Sequence, residues 1–367
     1  MTETDWLKDK AADEMLEFVA ERLAPRQWRF LTCGLARRVA DLFPVGPLTD
    51  AIDWVELHVD DPLKAKDREK RLAKLAPAVD AAAAHAEAEM RAIVRAADPD
   101  AGNQPPGSAP DPDSILPSRV LFDAASRHAY LAVTGYIEAA RTAAAAATNV
   151  LLDPGEEAFG LIQEQVQDAV AQSTAAKQSA NNALKLKALG DEFADNYNPR
   201  SVRLDRSKAV AQVQKIDEAA TGGVDTDRAS RLVRKHIARL LHEIVGNPFR
   251  TIRFENSWRT PTAKSVAKAI FTERAFDRLP ILADALLDAD CDEEAVLRHC
   301  RGTELHLKEL NEAQLHVRGC WVVELVLDRW KPLKPPKPGK AKKSKKIDWL
   351  DIDFDEPGLR GGGDRFA

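Results

Sequence analysis

The chain has 367 residues, of which 44% are hydrophobic, so disorder of the whole chain is excluded and one large core or several smaller ones can form. Its 53 basic and 58 acidic residues give a formal charge of −5, which argues against nucleic-acid binding by bulk charge alone. Only 6% of the residues are aromatic and alanine is frequent, a bias that favours helices over strands.

The sequence also bears on the compartment. Residues 1–10 lack the basic start and apolar run of a secretory signal, and no stretch of about 18 residues stays apolar. The four cysteines, Cys33, Cys291, Cys300 and Cys320, are too few for a disulfide framework in a chain of this size. We therefore expect a cytoplasmic protein with reduced cysteines and no membrane partner.

Residues 1–97 are predicted to form an N-terminal helical region. Apolar residues recur at helical spacing on both sides of Pro25, which predicts a helical hairpin, and again over residues 48–59. Residues 62–97 are rich in alanine and charged residues and should form one or two helices. Four arginines of the hairpin are expected largely on its polar side, where they could meet phosphates: Arg26, Arg29, Arg37 and Arg38.

A segment rich in Pro, Gly, Asp and Ser, residues 98–117, predicts a flexible linker or loop. The central region, residues 118–245, then begins with two long helices over 118–152 and 154–193, expected to pack as an antiparallel pair. Between them, Asp153 can cap the second helix and Pro154 can take its first position. Further helices are predicted over residues 208–220 and 225–245, the latter with a basic face from Arg231 to Arg239.

The C-terminal module, residues 246–330, opens with Gly246, which suits the end of a helix. Residues 249–258 alternate in character and should be extended, the most strand-like piece of the chain. Thr260 and Pro261 then favour a helix start, and helices are predicted over 262–276, 280–289, 292–301 and 319–330. For the last of these a strand is the alternative, because β-branched residues are frequent in it.

Residues 331–367 are expected to be a disordered tail. Its first part, residues 331–346, has eight lysines and four prolines without an acid, and cannot bury enough apolar area to offset its chain entropy. Residues 347–356 then alternate acids with large apolar groups. The predicted fold class is thus all-α, a multi-helix bundle with Ala-rich central helices and a disordered charged C-terminal tail.

Several strings resemble a bacterial family of helical proteins that has no assigned activity. They are GNPF at residues 246–249, WRTP at 258–261, RAFDRLPILADA at 274–285, HCRG at 299–302 and HVRGCWVV at 316–323. Matching N-terminal features are Trp6-Leu7, the string MLEF at 15–18 and the Cys/Arg-rich stretch 33–38. The chain departs from the family pattern at residues 304–315, which look like an insertion, and in its charged tail. The resemblance implies a helical fold and no particular function.

The densest set of chemically active side chains lies in the C-terminal module. The constellation consists of Cys291, His299, Cys300, His316 and Cys320. Thiolate and imidazole are zinc ligands, and four of the five, Cys291, Cys300, His316 and Cys320, could meet at helix ends around a tetrahedral ion. Because no Cys-x-x-Cys pair is present and cysteine often packs as a small hydrophobe, burial in the core is the competing interpretation. No cofactor other than this zinc is predicted.

A second hypothesis places a polar pocket in the same module. Its candidate residues are Arg274, Asp277, Arg278, His299, Arg318 and Trp321. Buried ion pairs that fix the register of neighbouring helices would account for these residues equally well. No nucleophile motif, metalloprotease motif or phosphate-binding loop is present, so the sequence favours a protein that is not an enzyme.

Three functions remain open from the sequence. The first is an interaction or scaffold protein whose tail docks a protein partner through Trp349, Leu350 and Phe354. The second is a nucleic-acid-associated protein that uses the arginine faces and the lysine-rich tail. The third is an enzyme or zinc protein that uses the C-terminal Cys/His cluster.

Overall fold

The structure, a computed structural model, describes residues 1–8, 12–40, 42–43, 46–61, 64–97, 116–220, 226–302 and 316–333. Within these ranges it contains 13 α-helices and no strand. The first nine are α1 Glu3–Trp6, α2 Ala12–Ala20, α3 Pro25–Ala40, α4 Gly46–Leu57, α5 Ala65–Val94, α6 Pro117–Asn149, α7 Glu156–Asp195, α8 Val202–Ala220 and α9 Thr226–Val245. The last four are α10 Pro261–Glu273, α11 Leu279–Leu287, α12 Glu294–Cys300 and α13 Trp321–Val326. The all-α fold class is therefore confirmed.

The centre of the fold is the antiparallel pair α6 and α7. Asn149 donates a hydrogen bond to Gln165 at 2.9 Å near the connection, whereas Gly190 lies against Phe122 at the far end. The facing surfaces are mostly alanine, including residues 139, 140, 143 and 144 of α6, all buried. Because alanine has no side chain beyond Cβ, the two helices can approach closely along their whole length.

Helix α3 connects this pair to the rest of the molecule. It contacts α4, α6, α7 and α9, and nearly all of its residues after Gln27 are buried. Ring contacts also join the N-terminal hairpin, α2 and α3, to the C-terminal module: Phe18 stacks on Phe249 at 5.1 Å and Phe30 meets Phe271 edge-on at 6.3 Å. One hydrophobic core thus runs from α1 to α13, and a smaller one lies between α6, α7 and α8.

Several predicted helix ends agree with the structure. The Thr260 hydroxyl accepts a hydrogen bond from the Ala263 N–H at 3.2 Å, and Pro261 occupies the first helical position of α10. Gly246, directly after α9, has a φ of +71°, the left-handed conformation that glycine adopts without strain.

The predicted start of α7 is wrong. Helix α7 begins at Glu156 after Gly155, so Asp153 does not cap it; its carboxylate pairs with Arg68 instead. Residues 249–258 are a connector without regular structure over 251–255, and they end in a 3₁₀ turn at Asn256–Trp258. Of the two alternatives for residues 319–330 the structure has the helix, since α13 occupies their middle.

Candidate metal centre

Four side chains that can ligate a metal converge in the C-terminal half of the molecule: Glu243, His299, His316 and Cys320. One potential ligand atom from each lies within 4.8 Å of all the others. The His299 and Cys320 side chains are completely buried, Glu243 is 1% exposed and His316 is 7% exposed. We call this set the Glu-His-His-Cys cluster.

Two of the four predicted zinc ligands belong to this cluster and two do not. The structure brings His316 and Cys320 together, whereas Cys291 and Cys300 are buried outside the cluster. His299, predicted as a pocket residue, and Glu243, not predicted at all, take the other two places. Glu243 could have been noticed, because it is an acid inside the apolar stripe that Leu240 and Ile244 form on α9.

Three parts of the C-terminal half position the four side chains of the cluster. Glu243 lies in the last turn of α9, and His299 lies next to the end of α12. His316 and Cys320 come from the short segment before α13, where Gly319 has a φ of +94°. This left-handed glycine lets the segment turn closely over Phe30, so that the side chains of His316 and Cys320 both lie near the Glu243 carboxylate on α9.

The distances show direct polar contacts inside the cluster. His316 Nδ1 lies 3.0 Å from Glu243 Oε2, and His299 Nε2 lies 3.2 Å from Cys320 Sγ. His299 Nε2 is also 3.7 Å from Glu243 Oε1, and the two imidazole rings meet edge-on with centroids 5.2 Å apart. The carboxylate, thiol and imidazoles therefore face one small central volume.

The electrostatics of the cluster favour a charged His316 imidazole and make the Cys320 thiol easier to ionise. Burial by itself would lower the pKa of His316, but the Glu243 carboxylate and the Cys320 sulfur outweigh it and raise that pKa to about 9. Burial would raise the pKa of the Cys320 thiol, yet the neighbouring His299 and His316 bring it below its ordinary value. A buried thiolate is both the nucleophilic and the metal-binding form of cysteine.

Trp321 fixes the tautomer of the His299 imidazole. Its indole N–H donates a hydrogen bond to His299 Nδ1 at 3.2 Å. A neutral imidazole has only one ring proton, so the proton of His299 then resides on Nε2, the atom that faces Cys320 and Glu243. Coordination of a metal through Nε2 requires that proton either to leave the ring or to move to Nδ1, and only the move to Nδ1 breaks the indole hydrogen bond.

The remaining residues of the predicted polar pocket do not form one pocket. Arg318 and Arg274 belong to a second buried group around Glu56, described below. Asp277 and Arg278 are exposed, and Arg278 pairs with Glu273 at 2.9 Å. Of the six candidates, His299 thus lies in the Glu-His-His-Cys cluster, buried Trp321 borders it, two arginines join the group around Glu56 and two residues lie on the surface.

Glu56 is the centre of a buried ion-pair network. Its carboxylate accepts hydrogen bonds from Arg37 at 2.7 and 3.0 Å, from Arg274 at 3.0 Å and from Arg318 at 3.0 Å. Arg318 also pairs with Asp53 at 2.5 Å and donates to two carbonyls at the end of α10. These groups satisfy one another, which is typical of a network that fixes helix packing.

The expected arginine face of the N-terminal hairpin is mostly turned inward, so the expectation that these arginines lie on a polar side is wrong. Arg26 pairs with Glu324 at 2.7 Å, Arg29 donates to the Asp61 carbonyl at 2.9 Å, and Arg37 lies in the Glu56 network. Only Arg38 is exposed. Arginine suits such an inward-facing position because the aliphatic part of its side chain packs on apolar residues while the guanidinium group pairs with a buried carboxylate.

The basic face of α9 does lie on the surface, with Arg231, Arg234 and Lys235 exposed. Arg234 forms an ion pair with Asp13 at 3.1 Å. The docking residues predicted in the tail, Trp349, Leu350 and Phe354, lie outside the described residues. No helix among the described ranges is both long and apolar enough to cross a membrane.

Comparison with protein-family models, with curated proteins and with solved structures finds no match to this chain.

Proposed function

We propose that this chain is a metal-binding protein, and that the Glu-His-His-Cys cluster holds one divalent transition-metal ion, with zinc the best fit. The observation that carries the proposal is the convergence of four buried ligand atoms within 4.8 Å of one another. A thiolate, two imidazoles and a carboxylate form a mixed sulfur, nitrogen and oxygen set that suits zinc better than the hard cations.

The burial of the ligands supports a structural role rather than a catalytic one. A catalytic zinc keeps one coordination position open for water, whereas a structural zinc takes all four ligands from the protein. The four side chains here are at most 7% exposed. A bound ion would link the end of α9 to α12 and to the start of α13, and so stabilise the packing of the C-terminal module.

The first experiment measures metal content and affinity. Full-length protein is stripped with a chelator and titrated with zinc, and one ion per chain is expected to bind and to raise the melting temperature. Cobalt in place of zinc should give a thiolate-to-metal charge-transfer band in the near ultraviolet, because Cys320 would be a direct ligand.

Matched cysteine variants separate this site from non-specific binding. Cys320→Ala should lose the charge-transfer band and weaken zinc binding by at least about 100-fold, whereas Cys291→Ala, which removes another buried thiol, should leave both unchanged. Failure of the wild-type chain to bind zinc or cobalt, or equal binding by both variants, would contradict the proposal.

The interaction function remains a separate prediction. It depends on the tail residues around Trp349 and Phe354, which lie outside the described part of the chain. Removal of residues 331–367 should abolish capture of a protein partner if the tail docks it. Capture that survives this deletion would remove the main support for that hypothesis.

A further inference from the structure

Two cavities of about 220 and 210 Å³ share Arg26 and Arg329 in their walls. The first lies between the ends of α4 and α10 and the residues that follow α13. Its apolar wall includes Leu57, Val59 and Phe271. The second is bounded by the start of α3 and by Trp330. We call the two together the Arg329 groove.

The charges around this groove are mainly positive. Its walls contain four basic side chains, Arg26, Lys268, Arg329 and Lys331, and two acidic ones, Asp60 and Glu324. Both acids already pair with Arg26, which binds Glu324 at 2.7 Å and also contacts Asp60. The three basic side chains that remain, Lys268, Arg329 and Lys331, outnumber the two acidic side chains of the walls.

Lys268 and Arg329 have no acidic partner within the described ranges. The Arg329 guanidinium lies over the Phe271 ring, 5.2 Å from its centroid, and Lys268 is exposed one turn before this phenylalanine on α10. A guanidinium supported on an aromatic ring is held in place and keeps its N–H donors available for an anion.

The second cavity contributes an unused donor. The Trp330 indole N–H is buried but has no hydrogen-bond acceptor among the described residues. A buried donor without an acceptor is costly, and such groups are normally satisfied by protein, water or a ligand. A ligand with a hydrogen-bond acceptor beside Arg329 would satisfy this Trp330 N–H.

We propose that the Arg329 groove binds a small organic anion, with a carboxylate or phosphate group near Arg329 and Lys268 and a compact apolar body against the apolar wall. The cavity volumes suit a ligand of about ten non-hydrogen atoms, below the usual range for drug-sized ligands. None of the four side chains of the Glu-His-His-Cys cluster lines this groove, and its ligand is recognised by charge together with apolar shape.

The test uses probes with one aromatic ring and different charges. Benzoate and phenyl phosphate should bind the full-length protein, whereas benzyl alcohol and benzylamine should bind at least about tenfold more weakly, as measured by ligand-observed NMR and Trp fluorescence. Lys268→Gln and Arg329→Gln should each weaken benzoate binding by about tenfold, because each removes one cation from the site.

Lys264→Gln is the matched control, since Lys264 is exposed on the same helix but does not line the groove. It should bind benzoate as the wild type does. Equal binding of benzyl alcohol and benzoate, no binding of either anion up to about 10 mM, or unchanged affinity in both groove variants would overturn the proposal. Melting curves of the variants verify that they are folded.

Discussion

His236, on the inner side of α9, shows how a single buried side chain can make stability depend on pH. Its Nε2 lies 3.2 Å from the Gly34 carbonyl oxygen, to which it donates as a neutral imidazole. Burial lowers its pKa to about 4, since the charged form would lose its hydration beside Arg38 and Arg239. The unfolded chain, with a pKa of 6.5, therefore binds more protons below that pH.

The sign of the effect follows from this difference. The contribution of His236 to the free energy of unfolding is complete above pH 6.5 and is lost as the pH falls towards 4. His236→Gln keeps a neutral N–H donor and should flatten the pH dependence by about 2 kcal/mol between pH 6.5 and 4. Urea unfolding at several pH values measures this pH dependence of the free energy of unfolding, with His85→Gln, at an exposed histidine, as the control. Parallel curves for wild type and His236→Gln would contradict the argument.

At the scale of elements, the turn before α13 depends on one glycine. Gly319 has a φ of +94°, and a Cβ built on it would lie 2.5 Å from the Phe30 ring. Neither the backbone nor the neighbouring ring leaves space for a methyl group, and this turn positions both His316 and Cys320.

Gly319→Ala should therefore lower the free energy of unfolding by about 3 kcal/mol and weaken zinc binding. Gly302→Ala is the control, because Gly302 also has a positive φ of +64° but no atom of the described residues within 4 Å of a built Cβ, so only about 1 kcal/mol is expected. Chemical denaturation compares the two variants. Equal destabilisation would show that contact with Phe30 is unimportant.

At the scale of the whole molecule, the Glu56 network joins parts of the chain that are far apart in sequence. Arg318 meets Asp53 and Glu56 of α4 across 265 and 262 residues. Removal of Arg318 leaves two carboxylates without one of their partners in a buried region, which is costlier than loss of a surface pair.

Arg318→Met should lower the free energy of unfolding by about 3–5 kcal/mol. Arg278→Met breaks the exposed pair with Glu273 and should cost less than about 1 kcal/mol. Thermal and urea unfolding of the two variants measure the difference. A Arg318→Met protein as stable as Arg278→Met would show that the network contributes no net stability.

Much of the helical architecture could be predicted from local sequence. Periodic apolar residues, the cap at Thr260 and the stop at Gly246 act within a few residues, so they can be read without knowledge of the fold. The predicted cap at Asp153 failed because a tertiary contact, the ion pair with Arg68, outweighed the local preference.

The amino-acid sequence by itself determined that this protein is helical and where most of its helices begin and end. It also identified His316 and Cys320 as candidate metal ligands. Only the tertiary structure decided which residues join them, because Glu243 and His299 are separated from Cys320 by 77 and 21 positions and meet through the packing of α9, α12 and the turn before α13. The same packing places Cys291 and Cys300 outside the Glu-His-His-Cys cluster and brings Arg318 into contact with Glu56. Side-chain convergence depends on how helices cross, and helix periodicity does not specify that crossing.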